Sequence, residues 1–370
     1  MPKNSAIMKG EKIMTHRERF NRVMHFQDVD RIPNEEFGYW GETMERWHGE
    51  GMPVDADEEI YFGLDIRRER RLFQPDYGPR PGLTHGIDSM ENLEKAKPFF
   101  YDSLDSPERY PANWADMVEN YKKRDYPLGL NFSGFFGQPR GWLGLSHTCT
   151  AYYEEPEFMH ALGEFWADVL IGTMRRALDD VQFDFVQVWE DMAYNHGSLI
   201  SPKTFREFMT PYYRRVTDFI NSKGVDVILC DCDGNTNDMV ELFFEAGVNG
   251  LYPLERVAGT DPFAIREKYP NYLLLGGIDK IQISKGPDAI DTHLKDIPKL
   301  IDKGGFIPFV DHRVPSDVTL ANFIYYQKVK RDIIGGDLGV AQCDFTNARE
   351  EALKPAKPFE YKPQGVGPHL

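Results

Sequence analysis

The chain has 370 residues, 41% hydrophobic and 13% aromatic, enough to bury a large core. Its formal net charge of -16 is spread over the whole length, which argues against nucleic acid or an anionic membrane as partner. No apolar run approaches a membrane span, and Cys149, Cys230, Cys232 and Cys343 form no CxxC, so a cytoplasmic protein without disulfides is expected.

In chain order, residues 1–14 read as a flexible extension. Thr15 can cap a first helix, THRERFNRVMHF, with Glu18 three residues on completing a capping box. Asn34–Trp40 reads as extended. Gly41–Pro111 is rich in Trp, Tyr, Arg, Pro and Gly, and reads as helical and loop excursions with one strand around 71–74. From residue 127 strands and helices alternate. Strands are expected at 127–136, 183–189, 225–230, 250–254, 272–275 and 306–310. Helices are expected within 157–180, 201–222, 238–246, 261–268, 289–303 and from Ser316 to about Ile334. Such β-then-α units imply a parallel sheet with right-handed crossovers. Residues 15–354 therefore predict one (β/α)8 TIM barrel, with a doubly wound open sheet as the alternative. The proline-rich stretch 355–370 predicts an arm suited to packing on a neighbouring copy.

Successive predicted strands end in acids: Glu190-Asp191, Asp231 and Asp233, Glu255, Asp279, and Asp311-His312. A parallel barrel collects one end of every strand at one mouth, where its active site forms. In VDVILCDCDG (225–234) the alternation of a strand puts Asp231 and Asp233 on one face and Cys230 and Cys232 on the other. Paired carboxylates call for a cation or a shared proton. With His312 they make an oxygen/nitrogen ligand set that suits catalytic zinc, and manganese or iron as well. Alternatively, His312 is a general base or a carboxylate-bound histidine without metal. Glu190, Glu255 and Asp279 are the candidate catalytic acids. Phe37, Tyr39, Trp40, Phe135, Trp189 and Tyr194 are expected to bind a flat ligand at the same mouth.

The stretches WEDMAYNHGSLISP (189–202), LCDCDGNTNDMVELFFEAGVNGLYPLE (229–255), LLLGGIDK (273–280) and PFVDHRVPSDVTLANF (308–323) resemble the uroporphyrinogen decarboxylase superfamily, whose fold is a (β/α)8 barrel. Where true decarboxylases carry an arginine-rich signature, this chain reads EEFGYWGETMERW (35–47), acidic and aromatic, which would repel a polycarboxylate porphyrinogen. The other branch holds cobamide-dependent methyltransferases. In those acting on coenzyme M, an HxCG strand end and a later cysteine bind zinc; here Asp231-Cys232-Asp233-Gly234 and His312-Arg313-Val314-Pro315 stand there. The resemblance thus implies Asp231, Asp233 and His312 as ligands of a divalent metal, zinc by preference, without a soft cysteine. It further implies transfer of a methyl group from a methoxylated, aromatic substrate to a cobamide carried by a separate corrinoid protein, as in O-demethylases. The chain has no DxHxxG-type corrinoid signature of its own. A decarboxylase or lyase acting on another small acid, and a non-catalytic corrinoid-related binding protein, are the competing readings.

Overall fold

A computed structural model describes residues 14–65, 72–336 and 338–360. The predicted extension 1–14 and arm 355–370 therefore lie largely outside the described residues. The first helix, His16–Met24, starts as expected: Thr15 Oγ1 accepts the Glu18 N–H, and the Glu18 carboxylate accepts the Thr15 N–H at 2.7 Å.

Seven parallel strands form the sheet: β1 (Leu72–Phe73), β2 (Gly129–Ser133), β3 (Phe185–Trp189), β6 (Ile228–Asp231), β7 (Gly250–Tyr252), β8 (Leu273–Leu275) and β9 (Phe306–Ile307), in that spatial order. A small antiparallel hairpin, β4 (Ala193–Tyr194) and β5 (Gly197–Ser198), follows β3. Beyond β9 the chain meets the extended segment 34–40, bridged in parallel at Tyr39 and Val314 and held by Val314 N–H to Gly38 carbonyl at 3.0 Å. On its other flank Asp65 N–H donates to the Asn34 carbonyl at 2.8 Å. Segment 34–40 thus fills the eighth place in the wall, and the expected barrel architecture is the one found.

The period of two sorts the strands' side chains between two cores. Phe185, Val227, Leu229, Leu273, Leu275 and Ile307 pack inside, over a plug of Phe20, Val23 and Met24 from the first helix. Val186, Val188, Ile228, Cys230, Leu251 and Leu274 pack outward against the helices. Following the inner face upward, Gln187, Trp189 and Asp231 succeed Phe185 and Leu229 at the C-terminal mouth, while Cys232 stays in the outer core.

Several boundaries differ from the sequence reading. The expected strand 127–136 stops at Ser133, because Gly134 turns where a Cβ would lie 2.2 Å from Glu190 Oε1. A helix, Gly137–Leu143, follows at once, and Gly137 is needed because its Cβ would lie 2.8 Å from the Trp189 carbonyl. The expected helix 201–222 divides at Met209, and 289–303 divides into Pro287–Leu294 and Ile297–Ile301. The excursion region contains more helix than its weak periodicity indicates, including Gly41–Glu50 and Met90–Tyr101, and a further helix, Trp114–Lys122, follows it.

Candidate functional site

A cavity of about 250 Å³ opens at the C-terminal mouth, lined by Phe37, Trp40, Leu72, Gln187, Trp189, Asp191, Asp231, Asp233, Tyr252, His312 and Arg313. Of the residues singled out from sequence, it gathers Phe37, Trp40, Trp189, Asp231, Asp233 and His312. Segment 34–40 supplies the aromatic wall: Phe37 stacks on the His312 ring at 5.3 Å and 29°, and Trp40 lies 5.6 Å from it. Two arginines back the tryptophans. The Arg313 guanidinium sits 5.3 Å from the Trp40 ring, and that of Arg140 5.8 Å from the Trp189 ring.

His312 Nε2 lies 3.2 Å from Asp233 Oδ2. Burial opposes charging the imidazole, but the hydrogen bond and charge of Asp233 outweigh it, and the His312 pKa is raised above 6.5. Gln187 Nε2 reaches Asp231 Oδ2 at 3.5 Å. Asp191 stands at an expected strand end, next to the candidate catalytic acid Glu190. It lines the cavity at φ 44°, its carbonyl accepting from Arg140 at 2.8 Å and Arg140 also lying 3.5 Å from its Oδ2. Burial, then the Asp233 charge, push the Asp191 carboxyl above its ordinary range.

The remaining predicted residues lie elsewhere. Glu190 is wholly buried behind the wall. Its carboxylate accepts the N–H groups of Phe135, Phe136 and Gly137 at 2.9, 2.9 and 2.7 Å, and the Tyr213 hydroxyl. Burial lifts its pKa to about 7 against those donors. Glu190 therefore fixes the turn after β2. Glu255 accepts from Gly234 N–H at 2.8 Å and from Lys280 Nζ at 2.9 Å. Asp279 caps Lys280–Ser284, accepting the Ile281 N–H at 2.7 Å. Asp311, pushed by burial to about 6, accepts from the N–H groups of Arg256 and Lys280 at 2.8 and 3.1 Å. These acids organise the strand ends beneath the mouth. Tyr39 packs in the core against Trp47 and Phe323, Phe135 packs on Tyr213, and Tyr194 is exposed on the hairpin.

The expected zinc ligands do not form a ligand set. Asp231, Asp233 and His312 share the cavity, yet His312 Nε2 faces the Asp233 carboxylate. Among the described residues no group of three or more His, Cys, Asp or Glu is placed to hold a metal ion.

The wall is anchored from behind. Glu36 and Lys330 are buried, with Lys330 Nζ 2.5 Å from Glu36 Oε1. The same oxygen accepts the Tyr326 hydroxyl at 2.8 Å and Gln327 Nε2 at 2.7 Å, and Oε2 accepts the Val310 N–H at 3.1 Å. One carboxylate thereby ties the segment carrying Phe37 to the strand end leading to His312. Glu35 and Glu36 are buried and absent from the cavity lining, so the expected repulsion of a porphyrinogen by these two acids does not arise.

Known proteins agree with this architecture. A "methyltransferase from Methanosarcina mazei" superposes with a TM-score of 0.57 at 15% identity, covering 86% of this chain and 98% of that one; at that identity the likeness is one of fold. A "Uroporphyrinogen decarboxylase" of Nocardia farcinica is 30% identical over 151 residues, which are 41% of this chain and 40% of that protein. The match thus spans less than half the length of the curated relative. Among the described residues, no helix is long and apolar enough to cross a membrane. The uroporphyrinogen decarboxylase (URO-D) family matches residues 140–330, more than half the chain and all the strand ends from β3 to β9, and the chain belongs to that family.

Proposed function

We propose that the chain takes a methyl group from a small methylated donor, a methoxylated aromatic compound, and passes it to a separate corrinoid protein. The observation that carries this reading is the size and lining of the mouth cavity. At about 250 Å³ it lies just below the range of about 300–1,000 Å³ typical of drug-sized ligands, a scale that suits a single ring. Phe37, Trp40, Trp189 and Tyr252 supply aromatic surfaces for such a ring.

A corrinoid supplies a nucleophilic cobalt as the methyl acceptor. The chain's own work is to hold the donor with its methyl group toward the open side, keep water from the ether oxygen, and supply a proton as that oxygen departs. His312, held by Asp233 beside the aromatic wall, is placed for the last of these.

The test is incubation of the chain with a reduced corrinoid protein and methoxylated aromatics, following cobalt absorbance together with carbon dioxide release. Conversion to the methyl-cobalt spectrum without carbon dioxide is the expected result. Carbon dioxide release from a small acid with no corrinoid present would instead establish the decarboxylase reading.

A further inference from the structure

Asp191 has the most constrained backbone of the three cavity carboxylates. Its φ of 44° lies in the left-handed region, which strains any residue with a Cβ. Two contacts keep it there. Arg140 donates to its carbonyl at 2.8 Å, and its side chain accepts the Asp233 N–H. The fold thus spends backbone strain to turn this one carboxylate toward the cavity.

A carboxylate offers about four acceptor positions, and a ligand that displaces water from them without donating in return leaves them unsatisfied. Asp233 has His312 at 3.2 Å, and Asp231 has Gln187 at 3.5 Å. Besides the Asp233 N–H, the Asp191 carboxylate meets, among the described residues, the long 3.5 Å approach of Arg140 on its Oδ2. Its neighbours in the lining are the flat ring of Trp189 and the carboxylates Asp231 and Asp233. A ring seated there places its edge within reach of an acceptor.

We propose that Asp191 is the residue that reads the substrate, taking a hydrogen bond from an O–H or N–H group on the ligand ring, with Arg140 as its positioning residue. The site therefore selects ring-sized ligands that carry a hydrogen-bond donor and rejects those that carry none, which would strand the carboxylate. This rests on the reading of the mouth cavity as the substrate site, and it holds whichever group is then transferred.

The test is a binding titration of the full chain with phenol and with toluene, followed by tryptophan fluorescence and calorimetry. Phenol is expected to bind at least about tenfold more tightly, the ratio given by one hydrogen bond to a charged group. Asp191→Gly removes the carboxylate and suits a positive φ, so it should fold at least as well as the parent yet bind both ligands equally. Arg140→Met should lose the preference and Arg140→Lys should restore part of it, with thermal midpoints unchanged; a merely structural arginine would move the midpoints instead. Equal binding by the parent, no saturable phenol binding, or a preference that survives Asp191→Gly would overturn the proposal. The assay contains no corrinoid protein, so a chain that keeps the phenol preference but fails to transfer methyl groups overturns the transfer reading alone.

Discussion

Replacing Lys330 by methionine removes the ammonium while leaving a linear side chain of similar bulk in the buried cluster behind the aromatic wall. Lys330 is 1% exposed and Glu36 is 0% exposed, so the variant strands a carboxylate that water cannot reach. Removing one partner of a buried ion pair costs about 3–5 kcal/mol. Glu36 keeps the Tyr326 hydroxyl, Gln327 Nε2 and the Val310 N–H as donors, which places the expected loss at the lower end, about 3 kcal/mol. Urea unfolding followed by circular dichroism measures it. Adding Glu36→Gln removes the stranded charge, so the double variant should be more stable than the sum of the single losses indicates. A loss below about 1 kcal/mol for Lys330→Met, or strict additivity in the cycle, refutes the view that this pair acts as a buried unit.

Gly134→Ala would drive a methyl group to 2.2 Å from Glu190 and 2.3 Å from the Tyr213 hydroxyl, and should destabilise the chain by about 3 kcal/mol in the same assay. Glu190 titrates near 7 in the fold against about 4.3 when unfolded, so its contribution is complete below the unfolded value and is lost as pH rises toward 7. Stability measured from pH 4.5 to 7.5 should carry that slope, and Glu190→Gln should flatten it. Zinc titrated calorimetrically into metal-free chain should show no site that His312→Ala abolishes; such a site would refute the reading of the Asp233–His312 pair. Trp40→Ala, at a side chain 41% exposed, should leave stability within about 0.5 kcal/mol while weakening ring binding severalfold.

The barrel was legible because its signals are local and repeated. Apolar runs ended in Asp or Glu, caps such as Thr15 stood where helices begin, and alternation put Asp231 inside and Cys230 outside. Strand ends identified which acids gather at one mouth, but not how far each reaches into it. Glu190 and Asp191 are adjacent on the chain, and only the backbone turn at φ 44° decides that the second faces the cavity while the first is buried among N–H groups. A one-residue choice of that kind leaves no periodic trace. Phe37 and Tyr39 share a parity that would put them on one side of an extended segment, yet with Gly38 at φ 146° between them the first lines the mouth and the second packs in the core. Arg140 and Arg313 stand outside the pattern of acidic strand ends, Arg140 on the helix Gly137–Leu143 and Arg313 after His312, so nothing in that pattern marks them.

Segment 34–40 joins the wall through a single bridge and a few side-chain anchors, whereas Asp231 sits in a continuous ladder between β3 and β7. The two halves of the cavity are therefore built with unequal backbone support. Substitutions in the ladder half disturb pairing on both neighbours, and those at Phe37 or Trp40 disturb no strand. A redesign of the cavity for a different ring should therefore begin at Phe37 and Trp40, where side chains can change with the strand ladder left in place.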